Sequence, residues 1–193
     1  RGATIATVAA DLTDEAAMTA LFARIDTTMP PLRGVLHTAM VLDDALFANL
    51  DAARIHKVLA PTVAGADLLD RLTRQRPLDF FVLYSSATTL IGNPGQARYV
   101  AANAYLEGLA RARHAAGLPA VAIAWGAIAD AGYLARNMEV NAVLSTRLGK
   151  QSLTVKAALA GLGLVFDSGA GDPVVAYGRV DWATARKELK LLA

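Results

Sequence analysis

Apolar residues along this chain occur in two patterns, short unbroken runs and longer stretches with helical spacing. Short apolar runs predict buried strands, and these are Thr4–Val8, Gly34–His37, Phe80–Tyr84, Pro119–Ala124 and Val174–Tyr177. Helical spacing and end signals predict five helices. The first is capped by Thr13 and runs to Ile25, and the second, Asp51–Gln75, is interrupted by Pro61. The other three are Arg98–Ala116, Ser152–Val165 and Thr184–Leu192. Predicted strands and helices therefore alternate along the chain.

The central stretch, residues 80–105, carries the candidate chemistry. Its strand ends in two serines, of which Ser86 is the second, and a loop rich in glycine follows. The next helix carries Tyr99 and Asn103, which share a helix face because they are four residues apart. Open α/β sheets bind ligands at the carboxyl ends of their strands. We therefore expect a hydroxyl, a phenol and an amide to converge on one crevice.

Composition and charge narrow the function classes. The chain has 193 residues, 54% of them hydrophobic, which is enough for one domain with a sizeable core. A net charge of +2 is too small to indicate a nucleic-acid partner, and no unbroken apolar run of about 18 residues predicts a membrane span. The absence of cysteine excludes disulfides and thiol catalysis and is consistent with a cytoplasmic location. The three histidines lack metal-ligand spacing, so no metal site is expected.

Four segments carry a family resemblance: SS…GNPGQARYVAANAY in the central stretch, GVLHTAMVLDDALF at 34–47, PAVAIAWG at 119–126 and PVVAYGRVDW at 173–182. Together they resemble the ketoreductase domains of modular and highly reducing type I polyketide synthases, which are short-chain dehydrogenases/reductases. The resemblance implies an α/β fold with a Rossmann-like, doubly wound parallel sheet. No GxGxxG motif is present, so the first Gly-rich βαβ unit is missing. We expect residues 1–193 to form the C-terminal part of one such domain, with a substrate lid at 127–150.

The resemblance also implies the roles of individual residues. Tyr99 would donate the proton, Ser86 would hold the substrate carbonyl and Asn103 would orient Tyr99 and a relay water, while NADPH would supply hydride. The expected cofactor-binding residues are Asp11, His37, Thr38, Ala39, Trp125 and Gly126. On residue type alone, Asp11 is equally well explained as a turn or capping residue, and a structural role is the favoured interpretation of His37.

Stereochemistry is implied by a second group of residues. In the resembled family an LDD motif, here Leu42-Asp43-Asp44, accompanies B-type ketoreductases, with Asp44 as the diagnostic residue and Pro94 in agreement. The expected product is a D-configured β-hydroxyacyl thioester. Without the resemblance, both aspartates would be interpreted as a solvated turn.

One residue departs from the family pattern. The family element VLxPKVxG contains a catalytic lysine, and this chain has Thr62 in its place. Threonine carries no charge, and Lys57 lies about 140° away around an ideal helix. We expect reduced activity in the complete domain. The alternatives are a catalytically impaired structural domain of the synthase and a free-standing dehydrogenase, whose YxxxK motif would require lysine at residue 103. A hydrolase is poorly supported, because the serines lack a GxSxG motif.

The expected partners are an acyl carrier protein, neighbouring synthase domains and the missing N-terminal part of the same domain. An exposed sheet edge would also favour pairing with another chain, including a homo-oligomer. A basic cluster of Arg71, Arg74 and Arg76 is interpreted as a solvated face in preference to a carrier-protein docking site.

Overall fold

The fold is built around a four-stranded parallel sheet in the order β1-β2-β3-β4. The structure, a computed structural model, describes residues 2–147, 151–168 and 171–188. The strands are β1 (Gly34–His37), β2 (Phe80–Ser86), β3 (Val121–Trp125) and β4 (Val174–Tyr177). The helices are α1 (Glu15–Thr28), α2 (Ala52–Leu59), α3 (Gly65–Thr73), α4 (Thr88–Ile91), α5 (Ala97–Ala115), α6 (Gly132–Arg136), α7 (Met138–Arg147), α8 (Val155–Asp167) and α9 (Trp182–Glu188). The described helices include none that is both long and apolar enough to cross a membrane.

These elements confirm the α/β class and four of the five predicted strands. The fifth, Thr4–Val8, was predicted wrongly: residues 2–10 are exposed and are not part of the sheet. An apolar run becomes a strand only where a neighbouring backbone completes its hydrogen bonds, and none of the four strands lies beside this run. The predicted helix cap is also displaced by one residue, because Asp14 accepts from the amide of Ala17 and caps α1. The predicted final helix, Thr184–Leu192, begins two residues later than α9 and coincides with it over residues 184–188. Residues 189–192 of that prediction lie outside the described residues.

The long helical stretch after Asp51 is interrupted where the sequence contains Pro61. Helix α2 ends at Leu59, a π-helical turn covers Ala60–Ala64, and α3 follows without a loop. Proline has no backbone N–H to donate, so the regular helical hydrogen bonding cannot continue through this position. The wider turn brings Thr62 to a buried position, 3% exposed. π-Helical turns of this kind are frequent at functional sites.

The two faces of the sheet are covered by different helices. Alternate residues of β2, Phe81 and Leu83, belong to one hydrophobic cluster together with buried residues of α1, α3 and α5. Val82 faces the other side and packs with Ile123 and Trp125 of β3 and with residues of α8. The sheet is therefore a central layer that holds the carboxyl ends of its strands in fixed positions.

A buried ion pair connects two helices on the first face. Arg113 of α5 pairs with Asp70 of α3, and both side chains are almost fully buried. The Arg113 guanidinium also lies over the ring of Phe81, 4.0 Å from its centroid, and donates to the carbonyl of Pro119. This arrangement fixes α5, the helix that carries Tyr99, against α3 and β2.

Candidate active site

A cavity of about 420 Å³ lies where β1, β2 and β3 end. Its walls include Thr38 and Ala39 after β1, Ser86 at the end of β2, and Trp125 and Gly126 at the end of β3. The carboxyl ends of parallel strands meet at one edge of a sheet, which is where open α/β folds bind their ligands. The cavity therefore occupies the position that the sequence predicted for the crevice.

Tyr99 reaches this cavity from the first turns of α5. The loop before α5 contains Gly92 and Gly95, both with positive φ (68° and 81°), a conformation that other residues adopt rarely. Asn103 lies one turn further along α5, and its Nδ2 donates to the Tyr99 carbonyl over 2.8 Å. Tyr99 and Asn103 both line the cavity, and Asn103 is 2% exposed. The structure thus brings Ser86, Tyr99 and Asn103 together.

The Ser86 hydroxyl is placed by the turn that follows it. Its Oγ accepts from Thr88 Oγ1 at 3.0 Å and from the Thr88 amide at 3.3 Å. Both bonds use the serine oxygen as an acceptor, so its own hydrogen remains available for another partner. Thr88 also lines the cavity, although the sequence did not single it out.

The Tyr99 phenol lies in surroundings that favour its protonated form. Burial raises the pKa of Tyr99 above its ordinary value of 10.0, and the negative charge of Asp44 raises the pKa further. Hydrogen bonds with the side chains of Ser86 and Asn103 act in the opposite direction and lower the pKa. No cation within the described residues contributes to lowering it. Tyr99 is therefore a phenol that holds its proton at neutral pH.

Thr62 lies in the same cavity as Tyr99. Its Oγ1 is 3.5 Å from the carbonyl oxygen of Ala39, and its own carbonyl accepts from His37 Nε2 over 3.1 Å. Lys57 is exposed, does not line the cavity, and its charge acts on Asp43. The position that the family pattern gives to lysine therefore lines the same cavity as the phenol, and an uncharged side chain occupies it.

The other predicted cofactor residues fall into two groups. Thr38, Ala39, Trp125 and Gly126 line the cavity. His37 does not: its buried ring donates to the Thr62 carbonyl, and burial lowers its pKa, so it connects β1 to the π-helical turn. Asp11 also lies away from the cavity, where it accepts from the amide and hydroxyl of Thr13 in the turn before α1.

The two aspartates of the LDD motif have different partners. Asp43 forms ion pairs with Arg54 and Arg98, and hydrogen bonding to Arg54 is the main reason that its pKa falls to about 2. Asp44 instead accepts from Gln96 Nε2 over 2.9 Å, and Gln96 lines the cavity directly before α5. Asp43 thus holds the loop between β1 and α2 in place, while Asp44 lies beside the N-terminal end of α5, the helix that carries Tyr99. Pro94 is exposed in the adjoining loop and does not line the cavity.

The region predicted as a lid covers one side of the cavity. Tyr133 and Leu134 of α6 and Val140 of α7 contribute to its lining; residues 148–150 of the predicted lid lie outside the described residues. The lining also includes Tyr84 and Trp125, whose ring centroids lie 5.4 Å apart. The indole N–H of Trp125 is buried and has no hydrogen-bond partner within the described structure. This cavity is therefore mainly apolar, with a few polar groups beside Tyr99.

Sequence analysis did not identify several residues that shape the site: Tyr84, Thr88, Gln96 and Glu107. Tyr84 could have been found from strand alternation, since it lies on the same face of β2 as Ser86. Gln96 and Glu107 had no comparable signal, because their partners, Asp44, Ser85 and Thr89, lie elsewhere in the chain.

Comparisons with known proteins agree with this geometry. A family model described as the KR domain matches residues 1–130. The chain is 44% identical over 182 residues to the polyketide synthase GfsA of Streptomyces halstedii, covering 94% of this chain and 2% of that protein. It is 43% identical over 152 residues to the highly reducing polyketide synthase calA of Penicillium decumbens, covering 79% of this chain and 5% of that protein.

Solved structures give the same result. A ketoreductase from the first module of phoslactomycin biosynthesis in a Streptomyces species superposes with a TM-score of 0.88 at 36% identity, covering 98% of this chain and 43% of that chain. A structure of A-type ketoreductases from a modular polyketide synthase gives a TM-score of 0.85 at 32% identity, covering 95% of this chain and 38% of that chain. The fold is thus that of a ketoreductase, and the chain spans less than half the length of these solved relatives.

The chain belongs to the ketoreductase (KR) domain family of type I polyketide synthases, within the short-chain dehydrogenase/reductase superfamily. KR domains are the oxidoreductases of these synthases and bind a nicotinamide cofactor. The curated relatives are large multidomain proteins, of which this chain spans only a few per cent.

Proposed function

We propose that this chain forms the catalytic part of an NADPH-dependent β-ketoacyl reductase, which reduces a β-keto thioester on an acyl carrier protein to a β-hydroxyacyl thioester. The observation that carries the proposal is the convergence of Ser86, Tyr99 and Asn103 on one cavity at the carboxyl ends of the strands. The proposal concerns the complete domain, because the chain spans only 38% to 43% of the solved ketoreductases described above.

The residues of the cavity are suited to the proton transfer and the substrate binding that this reaction requires. Reduction of a ketone adds hydride to carbon and a proton to oxygen, and NADPH supplies the hydride when it is bound. Tyr99 donates its phenolic proton to the developing alkoxide, for which a protonated phenol is needed. Ser86 donates its hydroxyl hydrogen to the same oxygen and fixes the carbonyl in position. Asn103 keeps Tyr99 in place through its bond to the Tyr99 carbonyl.

The cavity residues also fit the nicotinamide end of the cofactor. At the ends of β1 and β3 the cavity is lined by small residues, Thr38, Ala39 and Gly126, so a flat ring can approach the backbone there. A Cβ atom added to Gly126 would lie 2.9 Å from Gly178 Cα, so only glycine allows the backbone at residue 126 to pass this close to the backbone at residue 178. Trp125 contributes its ring to the lining of the same cavity. We propose that these four residues hold the nicotinamide end of NADPH.

A second candidate is a reductase-like domain with impaired chemistry, and Thr62 is the observation that favours it. A nearby ammonium would lower the pKa of a tyrosine and stabilise its phenolate after proton transfer. Thr62 supplies no charge, and the negative charge of Asp44 raises the pKa of Tyr99. We propose that the two candidates are reconciled in a slow reductase: the domain binds and positions its substrate, and it transfers the proton slowly.

We propose B-type stereochemistry, with a D-configured β-hydroxyl. The supporting observation is that Asp44 binds Gln96 at the rim of the cavity, where it can constrain how the substrate enters. Chiral chromatography of the reduced thioester tests this assignment. An L-configured product would contradict it.

We further propose contacts with an acyl carrier protein, with neighbouring synthase domains and with a further part of the reductase domain. The outer edge of β1 supports the last of these, because among the described residues this strand pairs with β2 alone and its Leu36 is 47% exposed. A homo-oligomer through the same edge is the competing arrangement. The basic cluster gives no support for carrier docking, because Arg71, Arg74 and Arg76 are each paired with a carboxylate.

The proposed reaction is tested by following NADPH oxidation with a β-ketoacyl thioester in the complete domain. Tyr99→Phe removes only the phenolic hydroxyl and should reduce the rate by about 10²-fold or more. Tyr105→Phe is the matched control, because Tyr105 lies on the same helix and donates to the exposed Asp67 away from the cavity. Equal rates for the two variants would contradict the proposal.

A further inference from the structure

A buried carboxylate lies behind the active site, on the side of β2 that faces α5. Glu107 of α5 is 8% exposed. Its Oε1 accepts from Ser85 Oγ and from Thr89 Oγ1, each over 2.8 Å. Burial of a carboxylate costs free energy unless hydrogen-bond donors satisfy it, so Ser85 and Thr89 are the groups that allow Glu107 to be buried here.

The two donors lie on either side of Ser86 in the sequence. Ser85 precedes it on β2, with its side chain directed to α5, whereas Ser86 lines the cavity. Thr89 lies in α4, the short helix that begins immediately after β2, and it also lies 2.9 Å from the Ser86 carbonyl oxygen. The path of the chain through Ser86 is thus held at both ends by one carboxylate.

The same turn determines the orientation of the Ser86 hydroxyl. Ser86 Oγ accepts from the amide and the hydroxyl of Thr88, which directly precedes Thr89, so the direction of the serine hydrogen depends on where this turn holds Thr88. Glu107 holds Ser85 and Thr89, the residues on either side of the segment that contains Ser86 and Thr88. It therefore acts on the position of Ser86 from outside the cavity, because Glu107 is not among the lining residues.

We propose that Glu107 is a positioning residue that fixes the Ser86 hydroxyl for carbonyl binding. This inference rests on the proposed reductase function, in which Ser86 binds the substrate carbonyl. The feature of Glu107 that this role requires is its acceptor oxygen, because both of its partners are hydroxyl donors.

Two substitutions separate the acceptor from the bulk of the side chain. Glu107→Gln keeps an acceptor oxygen for both hydroxyls and should retain kcat within a few fold. Glu107→Leu keeps a similar size and removes the acceptor, and it should lower kcat by about 10-fold to 100-fold with little change in KM, since a displaced catalytic group costs this much. Equal kcat values for the two variants would overturn the proposal.

A double-mutant comparison distinguishes positioning of Ser86 from general destabilisation. In a Ser86→Ala background the hydroxyl is already absent, so adding Glu107→Leu should lower kcat by less than about twofold. A full additional loss in that background would show that Glu107 acts by another route and would overturn the proposal.

A second measurement keeps the test independent of turnover. Amide hydrogen exchange of residues 86–91 should become faster in Glu107→Leu and stay unchanged in Glu107→Gln. If the complete domain showed no reduction of β-ketoacyl thioesters, the proposed function would fail, and this exchange comparison would still decide whether Glu107 holds the Ser86 turn. Unchanged exchange in the leucine variant would overturn the inference.

Discussion

Thr62 and Tyr99 line the same cavity from two packed elements, the π-helical turn at Ala60–Ala64 and helix α5. The phenol of Tyr99 hydrogen-bonds with the side chains of both Ser86 and Asn103. The hydroxyl of Thr62 lies 3.5 Å from the carbonyl oxygen of Ala39. The phenol therefore has two hydrogen-bonding partners, and no cation among the described residues acts to lower its pKa.

The charge of Asp44 should be detectable in the titration of Tyr99. Asp44→Asn removes a negative charge that raises the pKa of Tyr99, so this pKa should fall in the variant. Reduction requires the protonated phenol, so the alkaline decline of the rate should move to lower pH. Phenolate absorbance, measured as the difference from Tyr99→Phe, isolates this residue among the five tyrosines.

Asp67→Asn is the control for this titration, because Asp67 acts on the pKa of Tyr105 and is not among the groups that shift the pKa of Tyr99. It should leave the alkaline decline of the rate unchanged. An Asp44→Asn variant that titrates like the native chain would contradict the electrostatic account of the site.

The α/β fold and the three central residues could be predicted because both depend on local signals. Strand β2, the glycine turn and helix α5 are contiguous, so the relation of Ser86 to Tyr99 is contained in one stretch. Thr4–Val8 was predicted wrongly because an apolar run does not specify which backbone will pair with it. The clusters around Asp43 and Glu107 could not be predicted, because their partners meet only after the helices pack.

Asp43 should make stability depend on pH in a narrow acidic window. Its pKa is lowered from 3.8 to about 2, chiefly by hydrogen bonding to Arg54. A carboxylate with a lowered pKa stabilises the fold fully above its unfolded pKa, and this contribution is lost as pH falls through the folded pKa. In Asp43→Asn, the free energy of unfolding should therefore decline less steeply between pH 3.8 and about 2 than in the native chain.

Urea unfolding at a series of pH values measures this difference directly. The native chain and Asp43→Asn should differ most above pH 3.8 and converge as pH approaches 2. Parallel curves throughout would contradict the ion-pair role of Asp43.

The buried pair between Arg113 and Asp70 should be the most sensitive ion pair in the described structure. Arg113→Ala leaves Asp70 buried with only the exposed Arg74 as its charged partner, and removing one member of such a pair costs about 3–5 kcal/mol. Arg33→Ala is the control, because Arg33 and Asp79 form an exposed pair that water screens. Thermal unfolding should show a large loss for the first variant and little change for the second; equal losses would contradict this account.

If Thr62 limits proton transfer from Tyr99, a cation restored at this position should raise the rate of reduction. The measurement is the rate of NADPH oxidation with a β-ketoacyl thioester in the complete domain, compared among the native chain, Thr62→Lys and Thr62→Met. Methionine is an unbranched side chain without charge and controls for added length. We predict that lysine raises the rate by at least about tenfold, within the range of general acid–base catalysis, and that methionine does not. A rate for Thr62→Lys no higher than that of the native chain, or an equal gain with methionine, would contradict the account.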